Sequence, residues 1–582
     1  MNVGGGAGTE EWTCGPPFRG HDPCGTSEAA HKPMIFSFLK RSPNLVAAAV
    51  VALVTGLAHS VLLVADGVFW DDWIYVKALS EDRMDIVDLK FAESAVFNAP
   101  YFYRALRHLP GPVFGSKLLA LAFLVTIALC TYWLARSSRR LTNTESALIA
   151  IVAGTFPAYQ TAPLLVTAIY LLSATGWYVG TVFLRASQLY PRLRIPLRVA
   201  GHLLFFFIAF PTNSFLVFNY ITLLVLFVME KDVGNPRLKD APRFVLRNLD
   251  VALLPFAFWV FKERFFPRFG DYEDYNRIRP SISGLVRHSI EFLSTSIFAN
   301  VNLALRQLMD RPAIVLALVA VVFFLWFRRK RALALSEEST WTSTHIALFG
   351  LIVLVAAIFP YAVVDKGPHL HGKASRHALL IGLPVGILCL AALRRFARAA
   401  EDAIRPAGVF VAAVCVFGFV LCDIDNAVQW QARWVKDRAI ARTLSRMPEA
   451  KQYSVFWVTD ASIQPEYDHY SYHDWSNLFR LAWGGQSHIG LDLMNSPASQ
   501  LKDPSTRSDH YNLKDLDPAG PQANLVVHMK ALPEGNSDYD YVTHYVGYKL
   551  THSPRLDDYL GKLLWLEITP TDGPPEPTAD AH

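Results

Sequence analysis

NLVAAAVVALVTGLAHSVLLVADGVFWDDW spans residues 44–73; it has no formal charge over 44–65 and then turns acidic at Asp66, Asp71 and Asp72. An uncharged run of this length is what a helix needs to cross a hydrocarbon core of about 30 Å, which takes roughly 17–25 residues. Trp70 and Trp73 suit the membrane–water boundary, where an amphipathic ring is at home. The same reading recurs at 113–135, 145–161, 163–184, 196–212, 214–229, 249–266, 312–327, 345–364, 378–393 and 406–423. The expected fold is therefore an α-helical polytopic membrane protein of about eleven transmembrane helices. A small extracytoplasmic α/β domain follows over 424–567, and 568–582 reads as a disordered tail.

The composition agrees. Of the 582 residues 52% are hydrophobic and only 18% charged, where soluble domains carry about 25%. The net charge of +5 is small and the basic residues sit in short loops, so no nucleic-acid partner is expected. Residues 1–43 are polar and Gly-rich and read as a disordered cytoplasmic tail, with Met34 as an alternative start. Cys14, His21 and Cys24 in that tail match no common zinc spacing.

Orientation follows from the basic residues on alternate loops. One set holds Lys40-Arg41, Arg136 to Arg140, the arginines of 185–198, the segment 230–248, Arg328 to Arg331 and Arg394-Arg395. The connections near 157–163 and 211–214 contain no Lys or Arg. The positive-inside rule assigns the first set to the cytoplasm. An odd span count then puts the C-terminal domain outside, together with loops 66–112, 267–311 and 365–377. The span interiors are nearly free of charge, whereas a transporter buries ionisable groups near the midplane. In the C-terminal domain the pattern predicts a helix over 426–447 and strands at 453–458, 525–529 and 540–548.

Two external clusters carry chemistry. Asp71 and Asp72 are adjacent carboxylates at a low-dielectric boundary; proximity and poor solvation favour proton uptake by such a pair, which suits a general base. The bland alternative is a solvated span end. The second cluster is the loop Asp365 to His377, where Lys366, Lys373 and Arg376 join His369, His371 and His377 against the usual charge bias. Arg and Lys there suit a phosphate, either of a lipid-linked substrate or of ordinary headgroups. His369 and His371 with Asp71 make a possible divalent-metal set, a point the spacing leaves open. In loop 267–311 the amphipathic stretch with Arg287, His288 and Glu291 suits either an interfacial cover over a groove or an ordinary solvated loop. His469 and His473 share i, i+4 spacing with no third ligand evident, so packing or carbohydrate contact is the expected role.

Three short elements carry a family resemblance across 44–423. Asp71-Asp72 directly follows the first span. Tyr103-Arg104-Ala105-Leu106 resembles an Arg-Pro-Leu element with alanine in place of proline, and Ser375-Arg376-His377-Ala378-Leu379-Leu380 resembles a Ser-Arg-Tyr/His-Leu-Leu stretch that opens a late span. Together they resemble the GT-C superfamily of membrane glycosyltransferases. The resemblance implies inverting transfer of a sugar from a polyprenyl-phosphate donor to a glycan or lipid acceptor, on the outer face of the cytoplasmic membrane. It implies that Asp71, with Asp72 second, is the base, and that Arg376, Lys373 and Arg104 hold the donor phosphate. His369, His371 and His377 are then auxiliary, and metal use varies across the superfamily. The rival readings are a flippase for lipid-linked glycan intermediates, an O-antigen-ligase-like transferase, and a non-catalytic assembly factor. The orientation itself is checked by fusing alkaline phosphatase after His582 and, separately, after Arg331. The first fusion is expected to be active and the second silent; the opposite pattern reverses the topology.

Overall fold

The computed structural model describes residues 43–230, 238–273, 277–278, 281–313, 341–399, 405–462, 470–492, 501, 513–530, 535 and 537–574. The tail cysteines, most of the run 312–327, His469 and the end of the C-terminal tail lie outside the described residues. The chain divides into two units, Met1–Val46 and Ala47–His582. In the second, helices and sheet belong to one compact body.

Every apolar run within the described residues contains a helix. Pro112–Ser137, Ser343–Ala362 and Phe410–Ser445 are long and apolar enough to cross a membrane. Ala241–Arg247 and Leu249–Phe265, bent by 64°, make a fourth if counted as one span. The remaining runs form shorter or more polar helices, such as Ser214–Val228 and Asn143–Thr155. The bend falls at Asn248, whose side chain donates to the Phe244 carbonyl at 2.9 Å while its backbone leaves the helical region. The same carbonyl also accepts from the Asn248 backbone N–H at 3.1 Å, so side chain and main chain close the end of the first helix together.

The run 406–423 and the helix expected at 426–447 are one element, Arg405–Ser445. At about 1.5 Å per residue it extends roughly 60 Å. Its C-terminal half is studded with buried apolar groups: Trp430, Trp434, Val435, Ala439, Ile440 and Leu444 of this helix share one buried cluster with Phe69 and with Phe456, Trp475 and Phe479.

The sheet has the order β2-β1-β3-β4, with β1 Val455–Asp460, β2 Ile489–Asp492, β3 Gln522–Met529 and β4 Leu564–Thr571. β1 pairs parallel to β2 (Trp457 opposite Leu491) and to β3 (Val458 opposite Leu525), and β4 closes antiparallel on β3 (Leu525 opposite Ile568). Side chains alternate across the sheet. Phe456 and Val458 enter the core against the long helix, and Val455 and Trp457 face Ile489, Leu491, Leu513 and Leu516 on the other side.

Two expectations need correction. Residues 540–548 form no strand but lie in the helix Asp538–Leu550. The Ser537 hydroxyl accepts from the Asp540 N–H, and the Asp540 carboxylate accepts from the Ser537 N–H, a reciprocal cap that starts a helix. Val542 and Tyr545 are then buried at a spacing of three, so the aromatic and β-branched content sits on a helical face. β4 also runs to Thr571, past the boundary at 567.

A buried ion pair ties two helices together. Glu145 caps its own helix by accepting from the Thr142 N–H at 2.9 Å, and also takes Arg394 Nε at 2.6 Å. Both residues are almost fully buried. Removing one partner strands the other in a poorly solvated place. Glu145→Ala is expected to cost about 3–5 kcal/mol, measurable as a lowered unfolding midpoint in detergent, and Glu145→Leu with Arg394→Met should recover most of it.

Candidate functional site

The acidic segment after the first helix is pinned residue by residue. Asp66 accepts from Gln431 Nε2 at 2.8 Å, Tyr545 Oη at 2.9 Å and Lys549 Nζ at 2.6 Å. Burial works to raise its proton affinity, but these donors outweigh it and hold the carboxyl below its ordinary range. At Gly67 a Cβ would lie 2.2 Å from the Phe69 ring, so only glycine fits, and its carbonyl accepts from Lys117 Nζ at 2.8 Å. Trp70 adopts φ 48°, in the left-handed region. That costs a bulky residue about 1–3 kcal/mol. It is held there by an N–H bond to Asp474 Oδ1 at 2.9 Å and by the Trp430 ring, edge-on at 5.1 Å.

The twist at Trp70 sends the next two carboxylates to different fates. Asp72 is buried and accepts from the N–H groups of Leu165 at 3.0 Å and Val166 at 2.7 Å, one on each oxygen. Burial pushes its carboxyl upward, against the pull of both N–H groups and the Lys117 ammonium. Its role is to fasten the 157–167 connection. Asp71 keeps its side chain 45% exposed and faces a cavity of about 270 Å³.

That cavity gathers residues far apart in sequence. Its basic side chains are Lys90, Lys262, Arg268, Lys373 and Arg376, while among the described residues Asp71 is the one carboxylate in its lining. Tyr75, Tyr170 and Tyr272 supply phenol groups, and Ser471 and His473 reach in from the sheet half. Lys90 lies 3.8 Å from Glu93 and 5.4 Å from the Tyr272 ring centre. Lys262 donates to Asn213 Oδ1 at 2.8 Å and the Pro211 carbonyl at 3.2 Å. The Lys373 ammonium sits 6.0 Å from the centre of the Trp70 ring. His473 Nε2 is 2.8 Å from Ser471 Oγ and 3.9 Å from Asp71 Oδ1.

Arg376 is set by the turn Lys373–Ala378. Ser375 Oγ donates to the Gly372 carbonyl at 2.9 Å and accepts from the Gln160 N–H at 3.2 Å. The Gln160 carbonyl in turn accepts from Asn426 and Trp430 of the long helix. Gly372, at φ 75°, supplies the left-handed step that starts the turn. From the other side, Arg287 donates to Asp365 at 2.8 Å and His288 Nε2 lies 2.7 Å from the same oxygen, so the helix Ile282–Glu291 clasps the loop.

Of the residues singled out in the sequence, Asp71, Lys373 and Arg376 meet in this cavity. Arg104 does not line it. It pairs with Asp88 at 2.6 Å because the helix Ala99–Leu106 buries Tyr103 and Leu106 and turns Arg104 outward. His371 Nδ1 lies 2.9 Å from Gln160 Oε1, and His369 is exposed outside the lining. His377 donates to the Gly367 carbonyl at 3.0 Å; burial and then neighbouring Arg376 push it down to about 3, so it stays neutral. Among the described residues no three His, Cys, Asp or Glu side chains gather to hold a metal.

Lys90, Lys262 and Arg268 were not among the residues singled out in the sequence, and His473 was expected to pack or to contact carbohydrate. A signal existed for Lys262 and Arg268: they flank the end of the run 249–266 on the side where the positive-inside rule disfavours cations. No protein-family model, curated protein or solved structure matches the chain.

The divergence of the two carboxylates is directly checkable. Asp72→Ala leaves two buried N–H groups without acceptors and is expected to cost about 1–3 kcal/mol, seen as a lowered thermal midpoint. Asp71→Asn should leave that midpoint in place.

Proposed function

We propose that the chain is an integral-membrane glycosyltransferase of the GT-C type. It takes a sugar from a polyprenyl-phosphate donor and passes it to a glycan or lipid acceptor on the outer face of the cytoplasmic membrane. The proposal keeps the multi-pass arrangement of about eleven spans with the sheet half outside. One observation carries it: five cations and a single carboxylate line one cavity of about 270 Å³. An anionic substrate with a phosphate beside a reacting hydroxyl needs that distribution of charge.

In the reaction the acceptor oxygen attacks the anomeric carbon, a new C–O bond forms, and the bond from that carbon to the phosphate oxygen breaks. The hydroxyl proton passes to the Asp71 carboxylate. The electron pair of the broken bond stays on the polyprenyl phosphate, whose charge grows toward the dianion. Arg376 and Lys373 meet that growing charge, and their contribution counts most in the transition state. Lys90, Lys262 and Arg268 raise the local concentration of an anionic donor. His473, 3.9 Å from Asp71, orients the carboxylate. A single displacement inverts the anomeric centre.

A flippase for the same lipid needs the cations but no base. Asp71→Asn separates the two readings. In proteoliposomes supplied with a panel of polyprenyl-phosphate sugars, transfer should fall about 10²–10⁴-fold while donor binding persists. Arg376→Ala should weaken donor binding as well. Full transfer by Asp71→Asn removes the base from this mechanism, and donor translocation without any transfer favours the flippase.

A further inference from the structure

A second cationic cavity, of about 420 Å³, lies away from the first and shares no residue with it. Arg185, Arg194, Arg198 and Arg247 line it, with Glu230 as the one acid among the described residues. Arg185 is the anchor. Its residue is only 2% exposed, and it donates to Gln188 Oε1 at 2.8 Å and the Ser137 carbonyl at 3.1 Å. Its Nε is buried with no hydrogen-bond partner among the described residues.

The other arginines are held in place around it. Arg198 forks onto Asp250 at 2.6 and 2.5 Å and donates to Asn248 at 3.0 Å, which ties the helix Arg194–Leu204 to the bend at Asn248. Arg247 lies 3.2 Å from Glu230, and Arg194 is exposed at the rim. The cavity therefore keeps an excess of positive charge after its internal pairs are made.

What surrounds the rim identifies the ligand. Ile195, Val199 and Leu203 follow Arg194 and Arg198 along the same helix and are 76%, 51% and 51% exposed. On the two helices that meet at the Asn248 bend, Leu246 and then Leu249 and Leu253 are exposed as well. Apolar side chains that are open along a helix, below a ring of arginines, match a molecule with a phosphate head and hydrocarbon tails. We propose that this cavity binds the phosphate headgroup of an anionic phospholipid, with the acyl chains lying along Ile195, Val199 and Leu203. These arginines belong to the loops assigned to the cytoplasmic side by charge counting, so the lipid comes from the inner leaflet. The site is independent of the transfer reaction and stands whether or not Asp71 is a base.

The test uses the full chain, purified in mild detergent and examined by native mass spectrometry with defined lipids. Phosphatidylglycerol should be retained in preference to phosphatidylcholine. Arg194→Gln and Arg247→Gln should each weaken that retention about fivefold, with the phosphatidylcholine signal unchanged. Arg185→Gln should weaken it further; because Arg185 is buried, that variant is read only if its thermal midpoint is retained, and the two rim variants decide otherwise. Inorganic phosphate is the competing probe. Failure to displace the lipid supports a headgroup site that uses its tails, while ready displacement means the cavity takes free phosphate and overturns the lipid assignment. Equal retention of both lipids, or rim variants that bind like the unaltered protein, also overturns it.

Discussion

Asp72 spends both carboxylate oxygens on the N–H groups of Leu165 and Val166, and the shape of the acidic segment depends on that choice. With the second carboxylate drawn inward and Trp70 turned to positive φ, Asp71 has only the cavity to face. The two neighbouring residues are chemically identical in sequence, yet one is a structural clamp and the other an open acid. The strain at Trp70 persists because groups from two other segments fix it: the Asp474 carboxylate and the Trp430 ring. Such over-determination is the usual condition for a strained backbone at a site with a job to do.

The electrostatics of the cavity follow from what lies around it. Five cations with one carboxylate repel each other, and low-dielectric walls make that repulsion worse than it would be in water. Folding tethers two of them locally: Lys262 to a carbonyl and an amide oxygen, and Lys90 beside Glu93 and the Tyr272 ring. An anionic substrate of the kind proposed would relieve the remaining repulsion. In the proposed reaction the leaving phosphate gains charge as the bond breaks, and the same field favours that later state more than the earlier one.

Much of this was legible in the sequence, and the limits have physical causes. The helices were legible because an apolar run has one inexpensive solution. Asp71, Lys373 and Arg376 were legible because charge at the edge of an apolar run is unusual. Lys262 was passed over because a single lysine at a helix end reads as an anchor, and only the fold shows it reaching Asn213. Arg104 was over-read because a four-residue resemblance says nothing of which helix face carries the charge. The helix Asp538–Leu550 was misread because its cap, Ser537 with Asp540, is a weaker signal than its tyrosines and valines. The span count is legible only in part, since among the described residues three or four helices meet the length and hydropathy of a crossing by themselves.

One helix organises the whole site. Along Arg405–Ser445, Asn426 and Trp430 hold the Gln160 carbonyl and with it the turn that bears Arg376. Gln431, one position on, holds Asp66. Arg433 lies 4.4 Å from the Tyr470 ring centre and 3.7 Å from the Asp474 carboxylate that fixes Trp70. Residues 426, 430 and 433 recur at the spacing of one helical face. A single stripe thus sets the acidic segment, the basic loop and the sheet-side helix that carries His473. Because the same helix is apolar enough to cross a membrane at its start and buried against the sheet at its end, the sheet half cannot shift without moving His473 against Asp71. That coupling gives the C-terminal half a role in the cavity that no external loop motif would reveal.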